Sequence, residues 1–449
     1  MAMLIAARAR TSLAIAGAAG TVAAALVLTQ RAAPAPIDRG SYCADGICVE
    51  ARLPSAILPG ALDHDVAITV TAPRTTTGER APLSLVIVID RSGSMGGKPL
   101  LDAKHAATKL VDRLAPTDAF SIVTYSSADE TVAPMAIATE AAKQRARAAI
   151  EMIVDEGGTC ISCGLDRGSA ELGDSPIRGG LRRMVLISDG QANEGIWNRD
   201  ELAEHAATTA QTGISISSVG VGLDFDEVTM VRLANIARGN YYFVEDTSGL
   251  DAMFARELGG LDDTLATNAK LVLTESPYAR ITAAYGYPIG HVGDHAIIPI
   301  SDLRAGETRK VVVRMHVTPP EGAAVPLAKV ELGWTQPSSG ELRRAGTQAI
   351  AEVVDDAADL VIDPSTVAAI EAALMARALE EAGQVYELHG ADAARQVLEL
   401  RAGAISPHLD AASVDRAHQL HDAALELLRA APASKVKKTF SETAYKLAR

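Results

Sequence analysis

The run Leu83-Ser84-Leu85-Val86-Ile87-Val88-Ile89 is almost wholly apolar and stops abruptly at Asp90, and the same kind of unit recurs along the next part of the chain. Apolar segments of strand length at Ala119 to Tyr125, Arg183 to Ser188, Ile214 to Val221 and Tyr241 to Val244 alternate with helix-patterned segments. These helical segments lie at Leu100 to Leu114, Glu140 to Ile153, Asp200 to Thr212 and Asp226 to Ala237, with a last one near Leu250 to Leu258. A weaker edge strand is expected near Thr131 to Ile137. Continuous rather than alternating hydrophobicity belongs to strands covered on both faces. The pattern therefore predicts an α/β fold over residues 82–260, a doubly wound, mostly parallel sheet joined by right-handed crossovers.

The flanks have a different period. From Asn268 to Val354 the chain alternates, as in Lys310-Val311-Val312-Val313-Arg314-Met315-His316-Val317 and Ala328-Lys329-Val330-Glu331-Leu332-Gly333-Trp334, which predicts a β-sandwich over residues 266–356. Strands at Val49 to Leu53 and Val66 to Thr71, inside a strand-rich segment over residues 36–81, are expected to complete it, so that the α/β domain is inserted between its parts. Asp363-Pro364 then opens a helical region over residues 363–431, with the acid as cap and proline in the first turn. Gly390 ends the first helix, and others are expected at Ala393 to Leu400 and Ala411 to Ala430. The basic end, residues 432–449 with Lys435, Lys437, Lys438, Lys446 and Arg449, reads as a solvated tail.

Arg8 and Arg10 precede an uncharged run from Leu13 to Leu28 and the small residues Ala32-Ala33-Pro34-Ala35, which is the layout of an export signal over residues 1–35. The run falls short of the roughly 20 residues that span a bilayer, so cleavage is favoured over a retained anchor, and a retained anchor is the sole membrane contact expected. The destination is periplasmic, cell-surface or secreted. A net charge of -14 argues against nucleic acid as a partner, because phosphate binding needs clustered Lys and Arg. Four cysteines fall in two close pairs, Cys43 with Cys48 and Cys160 with Cys163. Three pairings are possible, and outside the cytosol two local disulfides are favoured over a zinc site.

Asp90-Arg91-Ser92-Gly93-Ser94 places three oxygen side chains at alternate positions at the mouth of a buried strand. Such donors suit a hard cation such as Mg2+. In a sheet of order 3-2-1-4-5-6 ligands sit beyond the carboxyl ends of strands 1 and 4, where the order reverses. Asp90 ends the first of these strands, and Met184-Val185-Leu186-Ile187-Ser188 leads into Asp189, so topology brings the two carboxylates together. Gly157-Gly158-Thr159 adds a hydroxyl from a third loop.

Asp90-x-Ser92-x-Ser94, Thr159 and Asp189 resemble the metal-ion-dependent adhesion site of von Willebrand factor type A domains. The likeness runs through Arg91 to Met95, Leu186 to Gly190 and Val219 to Asp224, over roughly Pro82 to Leu258. With its β-rich and helical flanks the chain is similar to bacterial exported or envelope proteins carrying such a domain. The resemblance implies that Ser92, Ser94 and Thr159 hold Mg2+, Mn2+ or Ca2+ directly or through water. It implies that Asp90 and Asp189 act from behind, and that an open coordination position accepts Asp or Glu from a protein partner. Cys160 departs from the polar residue common after the threonine, and a bridge to Cys163 there could lock the loop, whereas a free thiol could be reactive.

Enzyme readings fit less well. A strand-end aspartate serves as nucleophile in haloacid-dehalogenase-like phosphatases, but the second acid of that pattern is Ser92 here. Gly93-Ser94-Met95-Gly96-Gly97-Lys98 is one residue short of a phosphate-binding loop, and Pro99 replaces its magnesium-binding hydroxyl. The pairs His291 with His295 and His418 with His421 lack an evident third ligand. A metal-independent scaffold is the remaining alternative.

Overall fold

The computed structural model describes residues 42–60, 62–74, 81–178, 180–189, 191–221, 225–244, 263–320 and 323–447. The export signal, the helix expected near Leu250 to Leu258, Gly190 and residues 222–224 lie outside them. Two strands, β1 (Cys48–Arg52) and β2 (Leu62–Thr71), precede the α/β region. That region runs through β3 (Leu83–Asp90), α1 (Lys98–Arg113), β4 (Ala119–Tyr125), β5 (Asp129–Ile137), α2 (Glu140–Glu151), α3 (Ile161–Gly173) and β6 (Leu181–Ser188). It continues with α4 (Arg199–Gln211), β7 (Ser215–Val221), α5 (Glu227–Ile236) and β8 (Arg238–Val244).

Among the described residues the strands pair in the order β5-β4-β3-β6-β7-β8. All neighbours are parallel except β5, which turns back antiparallel on β4. Every residue of β3, β4 and β7 is buried, which explains the unbroken apolar runs. Alternate residues of β3 face opposite layers. Leu85, Ile87 and Ile89 share a core with Ala103, Ala107 and Leu110 of α1 and Ile150 of α2. Val86 and Val88 pack with Leu165 of α3, Leu202 of α4 and Leu233 of α5. The helices start at polar caps: Thr139, Asn198 and Asp226 each accept a backbone N–H of the following turn.

The chain then forms β9 (Thr264–Glu275), β10 (Ala279–Ala284), β11 (Gly290–Val292), β12 (His295–Pro299), β13 (Leu303–Arg304), β14 (Thr308–Val317), β15 (Ala323–Thr335) and β16 (Leu342–Val353). One sheet has the order β1-β2-β14-β10, the other β11-β12-β9-β15-β16 with β13 on β9. Val66, Ile68, Val311 and Val313 from the first sheet share a core with Leu271, Leu273, Val330 and Trp334 from the second. β2 pairs with β14 from Thr71 against Thr308 to Leu62 against Val317, so strands on either side of the α/β region close one sheet. On the outer face of that sheet Asp65 accepts from Arg314 Nε and Nη2 at 3.0 Å each and from the Tyr285 hydroxyl at 3.0 Å.

Helices α6 (Pro364–His389), α7 (Ala391–Gly403), α8 (Ala411–Ala430) and α9 (Ala433–Leu447) follow. Asp363 caps α6 by accepting from Ser365 and Thr366, and Ala369, Ile370 and Ala373 lay it against Ala67, Tyr285 and Val312 of the sandwich. The expectation of a solvated basic tail is corrected here. Val436, Phe440 and Ala444, spaced by four residues, are buried against α6, α7 and α8, so the segment is an amphipathic helix rather than a free end. Lys438, 3% exposed, gives its Nζ to the Phe225 carbonyl at 2.8 Å and to Glu227 at 3.2 Å. The Tyr445 hydroxyl donates to the Gly239 carbonyl at 2.9 Å. Lys437 and Lys438 were thus misread because Glu227, their shared counter-charge, lies over 200 positions upstream.

Candidate metal-binding site

β3 and β6 are the neighbours at which the strand order reverses, and their carboxyl ends carry Asp90 and, one residue beyond β6, Asp189. Past Asp90 the chain makes a single 3-10 turn at Gly93–Met95. Ser92 Oγ stands 3.1 Å from Ser94 Oγ, and Ser94 Oγ donates to Asp189 Oδ1 at 3.0 Å. Two hydroxyls and a carboxylate from two loops therefore form a continuous chain of oxygens. Adjacent oxygens around Mg2+ with bonds of about 2.0–2.1 Å stand about 3 Å apart in an octahedron, so these spacings suit such an ion.

Asp90 is fully buried and its oxygens are already engaged. Oδ1 accepts the Ser92 backbone N–H at 2.8 Å, while Oδ2 accepts from the Ser188 hydroxyl at 2.7 Å and the Tyr125 hydroxyl at 3.3 Å. Burial pushes the Asp90 carboxyl above its ordinary range, against the pull of the bonds from Ser188, Ser92 and Tyr125. The same burial, with Asp90 beside it, pushes the Tyr125 phenol well up. Such a carboxylate shapes the turn that presents Ser92 and Ser94. It is poorly placed to attack a substrate.

The third loop reaches the same crevice by a different route. Gly93 N–H donates to the Gly157 carbonyl at 3.1 Å, and the Arg91 carbonyl accepts from Glu156 N–H at 2.7 Å. Arg91, read from sequence as a spacer, also pairs with Glu156 at 2.9 Å and Glu130 at 3.2 Å. Thr159 is 3% exposed; its N–H donates to Asn193 Oδ1 at 2.8 Å, and its carbonyl accepts from Asn193 and Glu194 N–H at 3.1 and 3.3 Å. Hydrogen bonds thus join Asp90, Ser92, Ser94 and Asp189, while Thr159 is held by Asn193 in a loop tied to the turn through Gly93 and Gly157. Tyr125, Ser188 and Asn193 were missed. The first two had a signal, being polar residues at the carboxyl ends of largely apolar strands, while Asn193 had none.

Both local disulfides are formed, Cys43 with Cys48 and Cys160 with Cys163. The second opens α3 directly after Thr159. Gly195, at φ +65°, lies on it so closely that a Cβ there would stand 2.4 Å from Cys160 Sγ. Among the described residues no three or more His, Cys, Asp and Glu side chains gather as metal ligands, and the oxygens at this turn are mainly hydroxyls. His295 bonds Thr274 and His421 meets Asp422, so these members of the two histidine pairs have local partners. Among the described residues, too, no helix is long and apolar enough to cross a membrane.

Residues 84–256 match the family profile of the von Willebrand factor type A domain. Among curated proteins the chain is similar to "Uncharacterized protein sll0103" of Synechocystis, at 24% identity over 62% of this chain and 67% of that one. It is also similar to "Uncharacterized protein YfbK" of Escherichia coli, at 30% identity over 44% of this chain and only 35% of that one. A solved structure of a von Willebrand factor type A protein from Catenulispora acidiphila superposes with a TM-score of 0.72 at 17% identity, over 91% of this chain and 97% of that one. That likeness shows the fold: an α/β core with a β-rich flank and C-terminal helices. Domains of this class are typically interaction modules rather than catalysts.

Proposed function

Taking residues 84–256 as a von Willebrand factor type A domain, we propose that the chain binds a protein partner through a divalent cation held by Ser92, Ser94 and Thr159, with Asp90 and Asp189 behind them. The observation that carries this reading is the Ser92–Ser94–Asp189 chain of oxygens at the switch point of the sheet, over a buried Asp90 whose own oxygens are taken. Mg2+, Mn2+ or Ca2+ bound there would meet few direct anionic ligands and keep residual positive charge. An Asp or Glu side chain of the partner would complete its shell.

The surroundings support a contact surface. Large apolar side chains are exposed in segments bordering the loops: Leu101 in α1, Met152 and Val154 before the Gly157-Gly158-Thr159 loop, and Trp197 after the loop of Asp189. An exported setting agrees with the two disulfides, and the contact would serve adhesion or assembly of an envelope complex. The test is capture of partners from envelope and culture fractions on the immobilised chain in Mg2+, with elution by EDTA. A partner released by EDTA and absent from a Ser92→Ala/Ser94→Ala column supports the proposal. Partners that stay bound in EDTA, or bind the double variant equally, point instead to a metal-independent scaffold.

A further inference from the structure

At the amino ends of the strands, opposite the metal loops, the α/β domain meets the sandwich and α9 around a cavity of about 450 Å3. That is within the size of small-molecule sites. Its wall is markedly cationic for a chain of net charge -14: Arg183 from β6, Arg238 from β8, Arg304 from β13 and Arg309 from β14 face two carboxylates, Asp302 and Glu307.

Both carboxylates are committed. Asp302 accepts from Arg183 Nη2 at 2.9 Å and from the Asn268 N–H at 3.3 Å. Glu307 pairs with Arg309 through one oxygen and accepts the Arg304 backbone N–H at 2.8 Å through the other. Arg304 is left over, and Arg238 feels the charge of Asp302 without a hydrogen bond to it. The Arg304 guanidinium, half-buried, has no ion-pair partner among the described residues. Arg238 gives one nitrogen to the Ala210 carbonyl, its Nε has no partner, and its backbone is held at φ +58°. Burial lowers the Arg238 pKa and raises that of Asp302, against the attraction between the two.

Part of the remaining wall is aromatic, Tyr241, Tyr242 and Tyr445, and one of these rings is short of an acceptor. Tyr241 is 1% exposed, its hydroxyl lacks a hydrogen-bond partner, and its ring stands edge-on to that of Tyr445 at 6.1 Å. Half-buried cations with weak counter-charge and an orphaned buried hydroxyl are stabilised when an anion joins them. Arginine forks match the oxygens of a phosphoryl group, which carries close to two negative charges near neutral pH.

We propose that this cavity binds a phosphoryl dianion, with Arg304 and Arg238 as the capturing cations. The volume exceeds the needs of inorganic phosphate and leaves room beside Tyr241 and Tyr445 for the body of a small phosphomonoester. The site is independent of the metal loops and of the function proposed for them.

The test is calorimetry and thermal unfolding of the full chain with inorganic phosphate and with phenyl phosphate, against potassium chloride at equal ionic strength. Saturable binding in the millimolar range or tighter is expected, with a rise in Tm that chloride does not reproduce. Arg304→Gln should weaken that binding about tenfold or more while leaving the ligand-free Tm unchanged or higher, because it relieves an unpaired charge. Arg238→Gln serves as a second variant if it folds. Tighter binding of phenyl phosphate assigns the site to a monoester; tighter binding of inorganic phosphate assigns it to the free ion. No saturable binding of either, or equal affinity in wild type and Arg304→Gln, overturns the proposal.

Discussion

The two ends of the central sheet solve opposite electrostatic problems. At the carboxyl end, Asp90, Ser92, Ser94 and Asp189 collect oxygens with hardly a cation among them, and hydroxyls donate to both buried carboxylates. At the amino end, arginines outnumber carboxylates. The first arrangement asks for a cation and the second for an anion. Their construction differs as well: the carboxyl end is assembled from short loops on neighbouring strands, whereas the amino end draws single residues from two domains and a terminal helix.

The difference can be broken or sharpened by substitution. The largest effect is expected for Gly239→Ala at the amino end, where a Cβ would lie 2.0 Å from the Ile216 carbonyl oxygen and force β8 off β7. Overpacking against backbone should cost about 3 kcal/mol or more, read as a lower denaturant midpoint. Lys438→Met comes next. It strips a buried cation from Glu227, but Lys437 stays paired with Glu227 at 2.5 Å, so a loss of about 2–3 kcal/mol is expected, near the lower limit for breaking a buried pair. If the midpoint does not move, α9 is no clasp.

At the carboxyl end, Asp90→Asn in the absence of metal should cost about 2 kcal/mol, because its NH2 sets a donor against either the Ser92 N–H or the Ser188 and Tyr125 hydroxyls. A cost near zero would mean that the turn is held by its backbone alone. Reduction of either disulfide should cost about 2 kcal/mol at most, since both loops are short. Cys160→Ser/Cys163→Ser should weaken Mg2+ binding more than Cys43→Ser/Cys48→Ser does, and equal effects would remove the locking role of the buried bridge.

The smallest effect is a control away from both ends. Asp363→Ala removes the α6 cap and should cost about 1 kcal/mol. Although burial alone would raise the Asp363 pKa, hydrogen bonds from Thr366 and Ser365 outweigh it and leave the folded value low. Its stabilisation is therefore full above the unfolded carboxylate range and lost as pH falls through the folded pKa. The gap between wild type and variant should close in acid.

Legibility in the sequence follows the same division. Asp90, Ser92 and Ser94 sit within one turn, and strand order alone pairs that turn with Asp189, so this gathering of oxygens could be read from local pattern and topology. The insertion of the α/β region into strand pairs of the sandwich was legible because period two resumes after Asn268. Ser188 and Tyr125 were readable in principle as polar breaks at the ends of apolar strands. The arginine cavity was not readable, because its residues share no spacing and meet only after two domains dock. The spacing of Val436, Phe440 and Ala444 did announce α9, but the lysines between them masked it until Glu227 and Glu387 supplied their partners.

The most direct test of the metal-dependent contact is calorimetric titration of Mg2+ and of Mn2+ into the wild-type chain and into Ser92→Ala/Ser94→Ala, with thermal unfolding to verify that both are folded. The account predicts one saturable site in the millimolar range or tighter in the wild type, and its loss in the double variant at a nearly unchanged ligand-free Tm. Saturation of the same strength in both proteins, or none in the wild type, would contradict it.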